Sequence, residues 1–294
     1  MNYTEEAILF ACAGETLAGI LANPENPVQT GVVVIVGGPQ YRVGSHRQFV
    51  LLSRALAAAG YAVLRFDYRG MGDGEGQKRD FEAVSADISG AIDVLQDRIS
   101  SVKKVALWGL CDGASAALLY CHETHDPRVS GLCLVNPWVR SEVSLARTQV
   151  KHYYTQRLMQ KEFWFKLLSG KVAFEALSGF AQKIRLSASG SNSSATEKQP
   201  FQQRMATAWH SFSGHMLLLL SGDDYTAKEF LEHTNTDAAW KHYLVRPKLL
   251  RHNIPGVDHT FPSGASRKVA EDLTLRWLAQ QTTTTQRTLD KATV

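Results

Sequence analysis

Three kinds of side chain that cooperate in acyl transfer are spread along this chain: a cysteine at 111, adjacent aspartates at 223 and 224, and a histidine at 259. Cys111 lies in Gly109-Leu110-Cys111-Asp112-Gly113, with an apolar run over residues 105–108 before it and helix-forming residues over 114–120 after it. Strand, tight turn and helix are expected there. The Gly-x-Cys-x-Gly spacing is that of a nucleophile elbow with a thiol where a serine hydroxyl usually stands. Such a turn strains the backbone so that the central side chain stands up at the end of a sheet. The N-terminus of the following helix favours a thiolate and a developing oxyanion. By itself the motif also fits a small buried cysteine in an ordinary strand-to-helix turn.

A thiol nucleophile needs a base and a group that orients the base. The chain has ten histidines, and most fall on predicted helices. His122 and His125 flank Glu123-Thr124, which is not the His-Glu-x-x-His of a zinc site. His259 differs, because it falls in a short loop between the last predicted strand and the last predicted helix. Asp223-Asp224 follow another predicted strand. Ligands of open α/β sheets gather outside the carboxyl ends of the strands, so Cys111, the aspartates and His259 are expected at one edge. Their chain order, nucleophile then acid then histidine, is that of the α/β-hydrolase triad. Three compatible loops at one edge favour catalysis over a buried core cysteine.

The elements that must position these groups alternate in type. A hairpin is expected over 4–22 with its turn at Gly14-Glu15, then strands at 32–36, 62–66, 105–108, 132–135 and 216–220, and a last strand near 245–250. Helices are expected over about 46–59, 81–99, 225–239 and 263–278. This rhythm predicts an α/β protein with a mostly parallel, twisted sheet covered by helices on both faces. The glycine-dense loop over 67–76 lacks the spacing of a phosphate cradle, since Glu75 stands where Gly-x-Gly-x-x-Gly would need glycine. Between Pro137 and Gly214 the strand signal stops. Aromatic helix-like stretches (Tyr153, Tyr154, Phe163, Trp164, Phe165) and a Ser-rich piece over 187–194 suggest a helical cap insertion. The expected layout is therefore a core over 1–136, a cap over 137–214, the rest of the core over 215–281 and a loose tail over 282–294.

The formal charge is +4 over 294 residues, and the basic residues are scattered, so nucleic acid is not an expected partner. Cys12, Cys121 and Cys133 fall in apolar segments and are expected to be reduced core residues. The N-terminus lacks the basic start and apolar stretch of a signal peptide, and the longest apolar runs are too short to span a bilayer. Cytoplasmic location, a small-molecule acyl substrate, no metal and no cofactor are the expectations.

The blocks Gly37-Gly38-Pro39-Gln40-Tyr41-Arg42-Val43-Gly44-Ser45-His46-Arg47, Phe66-Asp67-Tyr68-Arg69-Gly70-Met71-Gly72-Asp73, Gly109-Leu110-Cys111-Asp112-Gly113-Ala114, Ser221-Gly222-Asp223-Asp224-Tyr225 and Asp258-His259-Thr260-Phe261 resemble those of α/β-hydrolases. In particular they resemble the bacterial exosortase A system-associated hydrolases, found beside genes for exopolysaccharide synthesis and protein sorting. The thiol is shared with dienelactone hydrolases. The resemblance implies Cys111 as nucleophile, His259 as base and Asp224, rather than Asp223, as the orienting acid. The backbone N–H of Asp112 is the first expected oxyanion donor. The second comes from the loop after the 32–36 strand. Proline has no N–H, so Pro39 cannot supply it and Gln40 is assigned, with Gly38 as the fallback. Arg42, Arg47 and Arg69 lie in loops near the expected mouth and are candidate anion ligands, although structural roles are commoner for such residues. The same triad would also serve an acyltransferase, and an idle hydrolase scaffold is the non-enzymatic alternative.

Overall fold

Val32, Val34 and Val36 point to one face of the central sheet while Val33 and Ile35 point to the other, and both sets are buried. That is why this run reads as continuously apolar: a strand covered on both faces has no polar side. The computed structural model describes residues 2–38, 40–140 and 199–292. Residues 1–139 with 200–294 form one compact unit and 140–199 form another. The latter, with the aromatic stretches and the Ser-rich piece of the expected cap, lies outside the described residues except at its ends.

The sheet of the first unit contains β1 (Tyr3–Cys12), β2 (Glu15–Pro24), β3 (Thr30–Ile35), β4 (Val63–Phe66), β5 (Lys104–Leu110), β6 (Val129–Val135), β7 (His215–Ser221) and β8 (Leu249–Ile254), in spatial order β1-β2-β4-β3-β5-β6-β7-β8. The β1–β2 and β2–β4 pairs are antiparallel, and every pair from β4–β3 to β7–β8 is parallel. Helices α1 (Gln48–Ala58) and α6 (Gly264–Ala292) contribute Phe49, Leu52, Leu56, Trp277 and Leu278 to one face. Helices α2 (Ser85–Arg98), α3 (Asp112–Thr124), α4 (Phe201–Ser211) and α5 (Tyr225–Thr236) pack on the other through residues such as Ile88, Leu118, Trp209 and Phe230. This is the α/β-hydrolase fold.

Several boundaries differ from the sequence expectation for physical reasons. The hairpin turn is Ala13-Gly14, both at positive φ (49° and 87°), with Cys12 paired to Glu15. Two positive φ values are what a two-residue hairpin turn with matching twist demands. The last strand starts at Leu249 rather than Val245. Pro247 has no N–H to offer a ladder and Lys248 sits at φ 63°, so pairing begins with Met216 opposite Leu249.

Helix α4 was expected within the 137–214 cap but packs in the core unit. Its Trp209 meets Phe230, Trp240 and Tyr243 at ring separations of 5.6–6.2 Å and donates to the Tyr243 carbonyl at 2.7 Å. The closing helix runs to Ala292, through most of the expected loose tail. No glycine or proline follows Gly264 to stop it, and each added residue brings one more backbone hydrogen bond. No helix among the described residues is long and apolar enough to cross a membrane.

Candidate active site

Strand β5 delivers Cys111. The strand pairs with β3 as far as Gly109 opposite Ile35, and α3 starts at the next residue after the cysteine. The sharp reversal needs two close approaches. A Cβ on Gly109 would lie 2.5 Å from the Gly113 carbonyl, and one on Gly113 would lie 2.4 Å from the Ile35 carbonyl oxygen. Cys111 itself takes φ 61°, ψ −128°, a conformation that a non-glycine residue adopts only under the constraint of its surroundings. Its N–H donates to the Val135 carbonyl at 2.9 Å, and its own carbonyl accepts from Trp138 at 3.2 Å. The side chain is partly exposed, whereas Cys12, Cys121 and Cys133 are buried. Burial pushes the Cys12 and Cys133 thiols up and the Cys121 thiol to about 12, so those three are held protonated.

Strand β7 delivers the acid. Asp224 caps α5, its Oδ1 accepting the Thr226 N–H at 2.8 Å. Its second oxygen, Oδ2, lies 2.6 Å from His259 Nδ1. Asp223, the neighbour left open by residue type, is exposed and engages through its backbone, donating to the Val257 carbonyl at 3.0 Å. The loop after β8 delivers His259, with Cys111 close enough to act on its ring electrostatically. Burial alone would lower the affinity of the imidazole for a proton. The hydrogen bonds and charges of Asp224 and Cys111 outweigh it and raise the His259 pKa from 6.5 to about 10. The fold thus hydrogen-bonds His259 to Asp224 and places Cys111 near the same imidazole.

The loop after β3 packs on the elbow. Gly37 has no room for a side chain, since a Cβ there would meet Asp112 Oδ1 at 2.3 Å and the Leu110 carbonyl oxygen at 2.4 Å. The Asp112 carboxyl is largely buried. Burial raises its pKa, although the N–H groups of Gly38, Gly113 and Asp112 itself favour the charged form. Gln40 is pinned by its side chain, Oε1 accepting the Ser45 N–H at 3.2 Å.

Two of the three candidate anion ligands are engaged elsewhere. Arg42 pairs with Asp67 and Asp73. Arg69 forms a buried two-pronged bond to Asp87, with Nε–Oδ1 at 2.9 Å and Nη2–Oδ2 at 2.7 Å. Arg47 sits at φ 60° at the start of α1. No cluster of metal-binding side chains occurs among the described residues.

Residues 28–224, more than half of the chain, match the family model described as serine aminopeptidase, S33. No curated protein matches the sequence. Among solved structures, an esterase of Pyrococcus furiosus shares 16% identity over 94% of this chain and 93% of its own, with a TM-score of 0.59. The α/β-hydrolase GrgF of a Penicillium species shares 16% over 95% and 99%, with a TM-score of 0.63. A dienelactone hydrolase of Anabaena variabilis shares 15% over 96% and 99%, with a TM-score of 0.61. At these identities the likeness speaks for the shared fold. The matched region spans the elbow and reaches Asp224, while His259 lies beyond it. The chain therefore belongs to the serine aminopeptidase S33 family within the α/β-hydrolases, with cysteine at the centre of its elbow.

Proposed function

We propose that this protein is a thiol-dependent acyl hydrolase whose triad is Cys111, His259 and Asp224. The observation that carries the reading is a strained, partly exposed thiol near an imidazole whose Nδ1 lies 2.6 Å from a buried carboxylate. The Cys111 thiolate attacks the acyl carbonyl. The oxygen that gains the charge is met by the Asp112 N–H and, from the β3 loop, by the Gln40 N–H. Gln40 is preferred, with Gly38 as the fallback, because Pro39 between them has no N–H to donate. The tetrahedral intermediate collapses and expels the alcohol or thiol, which takes its proton from the His259 imidazolium. Water, deprotonated by neutral His259, then attacks the acyl-thioester. Collapse of the second intermediate releases the carboxylic acid and regenerates the thiolate.

A thiolate leaves more readily than an amine anion, so the first intermediate of an amide would mostly revert. Esters with good leaving groups, thioesters and lactones are the substrates this chemistry suits, rather than the peptide amides in the family's name. The aromatic residues of the expected cap insertion, 137–214, are the proposed source of selectivity for an apolar acyl group. The resemblance in sequence blocks adds a proposed setting in bacterial exopolysaccharide and protein-sorting systems.

The test compares wild type with Cys111→Ala on p-nitrophenyl esters, acyl thioesters and lactones, with mass spectrometry of the quenched enzyme. An acyl adduct on Cys111 and loss of turnover in the variant are expected. Turnover by Cys111→Ala at the wild-type rate would remove the reading.

A further inference from the structure

The pairing of β6 with β7 ends at Val135 opposite Leu219, and the chain continues into Asn136-Pro137-Trp138. Asn136 is completely buried and adopts φ 45°. A left-handed conformation is more accessible to asparagine than to most residues, but a buried amide side chain also needs partners for its donor and its acceptor. Both are found on one residue. Asn136 Nδ2 donates to Ser221 Oγ at 3.0 Å, and Oδ1 accepts the Ser221 N–H at 2.8 Å. The Asn136 N–H donates to the Leu219 carbonyl at 3.0 Å.

The residues on either side of Asn136 are bound to the elbow. The Val135 carbonyl accepts from Cys111, the Trp138 N–H donates to the Cys111 carbonyl, and the Trp138 carbonyl accepts from Ser115 Oγ at 2.6 Å. Ser221, on the other side of the clasp, is the last residue of β7, three positions before Asp224. From there the backbone ties continue to the histidine loop. Gly222 donates to Ile254 at 2.9 Å and Asp223 to Val257 at 3.0 Å, two residues before His259.

We infer that Asn136 is a positioning residue for the triad, its side chain spanning β6 and β7 where the ladder stops and fixing the Asp224 loop relative to the Cys111 elbow. The inference rests on the triad reading above. Beyond the Asn136 N–H to Leu219 carbonyl bond the ladder between the two strands ends, and backbone pairing no longer sets their spacing. A reciprocal pair of hydrogen bonds from one short, buried side chain replaces it. Misplacement of a reacting group by about 1 Å can cost about 10²-fold in rate, so a clasp three residues from the acid has leverage without touching substrate.

Asn136→Gly is the informative variant, because glycine keeps the left-handed backbone at no steric cost and removes only the clasp. Ser221→Ala cuts one bond from the other side and serves if the glycine variant does not fold. Two readouts are needed, aryl-ester kinetics and titration of His259 by NMR. For folded Asn136→Gly we expect kcat to fall by about 10–100-fold with KM within about twofold. The His259 titration should move from about 10 toward the ordinary imidazole range, and the alkaline limb of kcat/KM should move with it. Ser221→Ala should shift both in the same direction by less. Wild-type kcat and an unmoved His259 titration in the folded variants would overturn the inference, as would a change confined to KM. The failure of the triad reading looks different. Cys111→Ala would then turn over normally, while the His259 titration in Asn136→Gly would still report on the clasp.

Discussion

Two buried carboxylates, Asp87 and Asp224, each hold a nitrogen base at close range, and they end differently. Asp87 receives the Arg69 N–H and Nε–H on one oxygen and Nη2–H on the other, all within 2.9 Å. The pair is saturated and turned inward, and its guanidinium has no proton to exchange at working pH. Asp224 spends one oxygen on the α5 cap and the other on His259 Nδ1. Near that imidazole lies a partly exposed thiol. The difference is less one of strength than of what is left over. One pair fastens the loop after β4 to α2. The other leaves a titratable imidazole near a partly exposed thiol.

The comparison breaks most sharply at Asp224. Asp224→Asn keeps an oxygen for the Thr226 N–H but stabilises the imidazolium less, so kcat on an aryl ester should fall by about 10⁴-fold, as for a triad carboxylate changed to its amide, and the melting temperature should fall only by the part that the raised His259 pKa contributes. Asp87→Ala should do the reverse. It leaves the buried Arg69 guanidinium without its partner and should cost about 3–5 kcal/mol in chemical denaturation, while kcat per folded molecule changes little.

Titration sharpens the contrast further. The folded-state pKa of His259 is raised from 6.5 to about 10. Its contribution to stability is therefore complete below about pH 6.5 and fades as pH rises through about 10. Turnover that depends on the imidazolium to protonate the leaving group should fall along the same alkaline limb. Melting curves and kcat/KM measured across that window check both. Arg69–Asp87 should contribute no such limb. The smallest effect belongs to Asp223→Asn. Its carboxylate is exposed and its role is carried by backbone, so activity within about twofold of wild type is expected in the same aryl-ester assay.

Much of this arrangement was legible in the order of residues. The Gly-x-Cys-x-Gly turn after an apolar run named the elbow, and the alternation of strands and helices gave a parallel sheet whose loops meet at one edge. The choice between Asp223 and Asp224 rested on a likeness to related sequences; in the structure Asp224 is buried, caps α5 and reaches the imidazole, while Asp223 is exposed. Arg42 and Arg69 looked like candidate anion ligands because their carboxylate partners lie 25 and 18 residues away, a separation that local reading cannot close. Asn136 carried a fainter signal, a single amide at the end of a buried apolar strand, and nothing in the sequence pointed to Ser221, 85 residues on, as its partner.

What the chain determined by itself was local: where the backbone turns, which runs are apolar on both sides, and which chemically able side chains fall in loops. These follow from glycine placement, proline's missing N–H and the two-residue and 3.6-residue periods. Which side chain meets which was decided by the tertiary structure, because a hydrogen bond depends on the final distance between atoms that the sheet brings together from distant parts of the chain. The thiol could be found by reading. The imidazole bridge to its carboxylate, and the amide that holds their loops in register, exist only once β5, β6, β7 and β8 lie side by side.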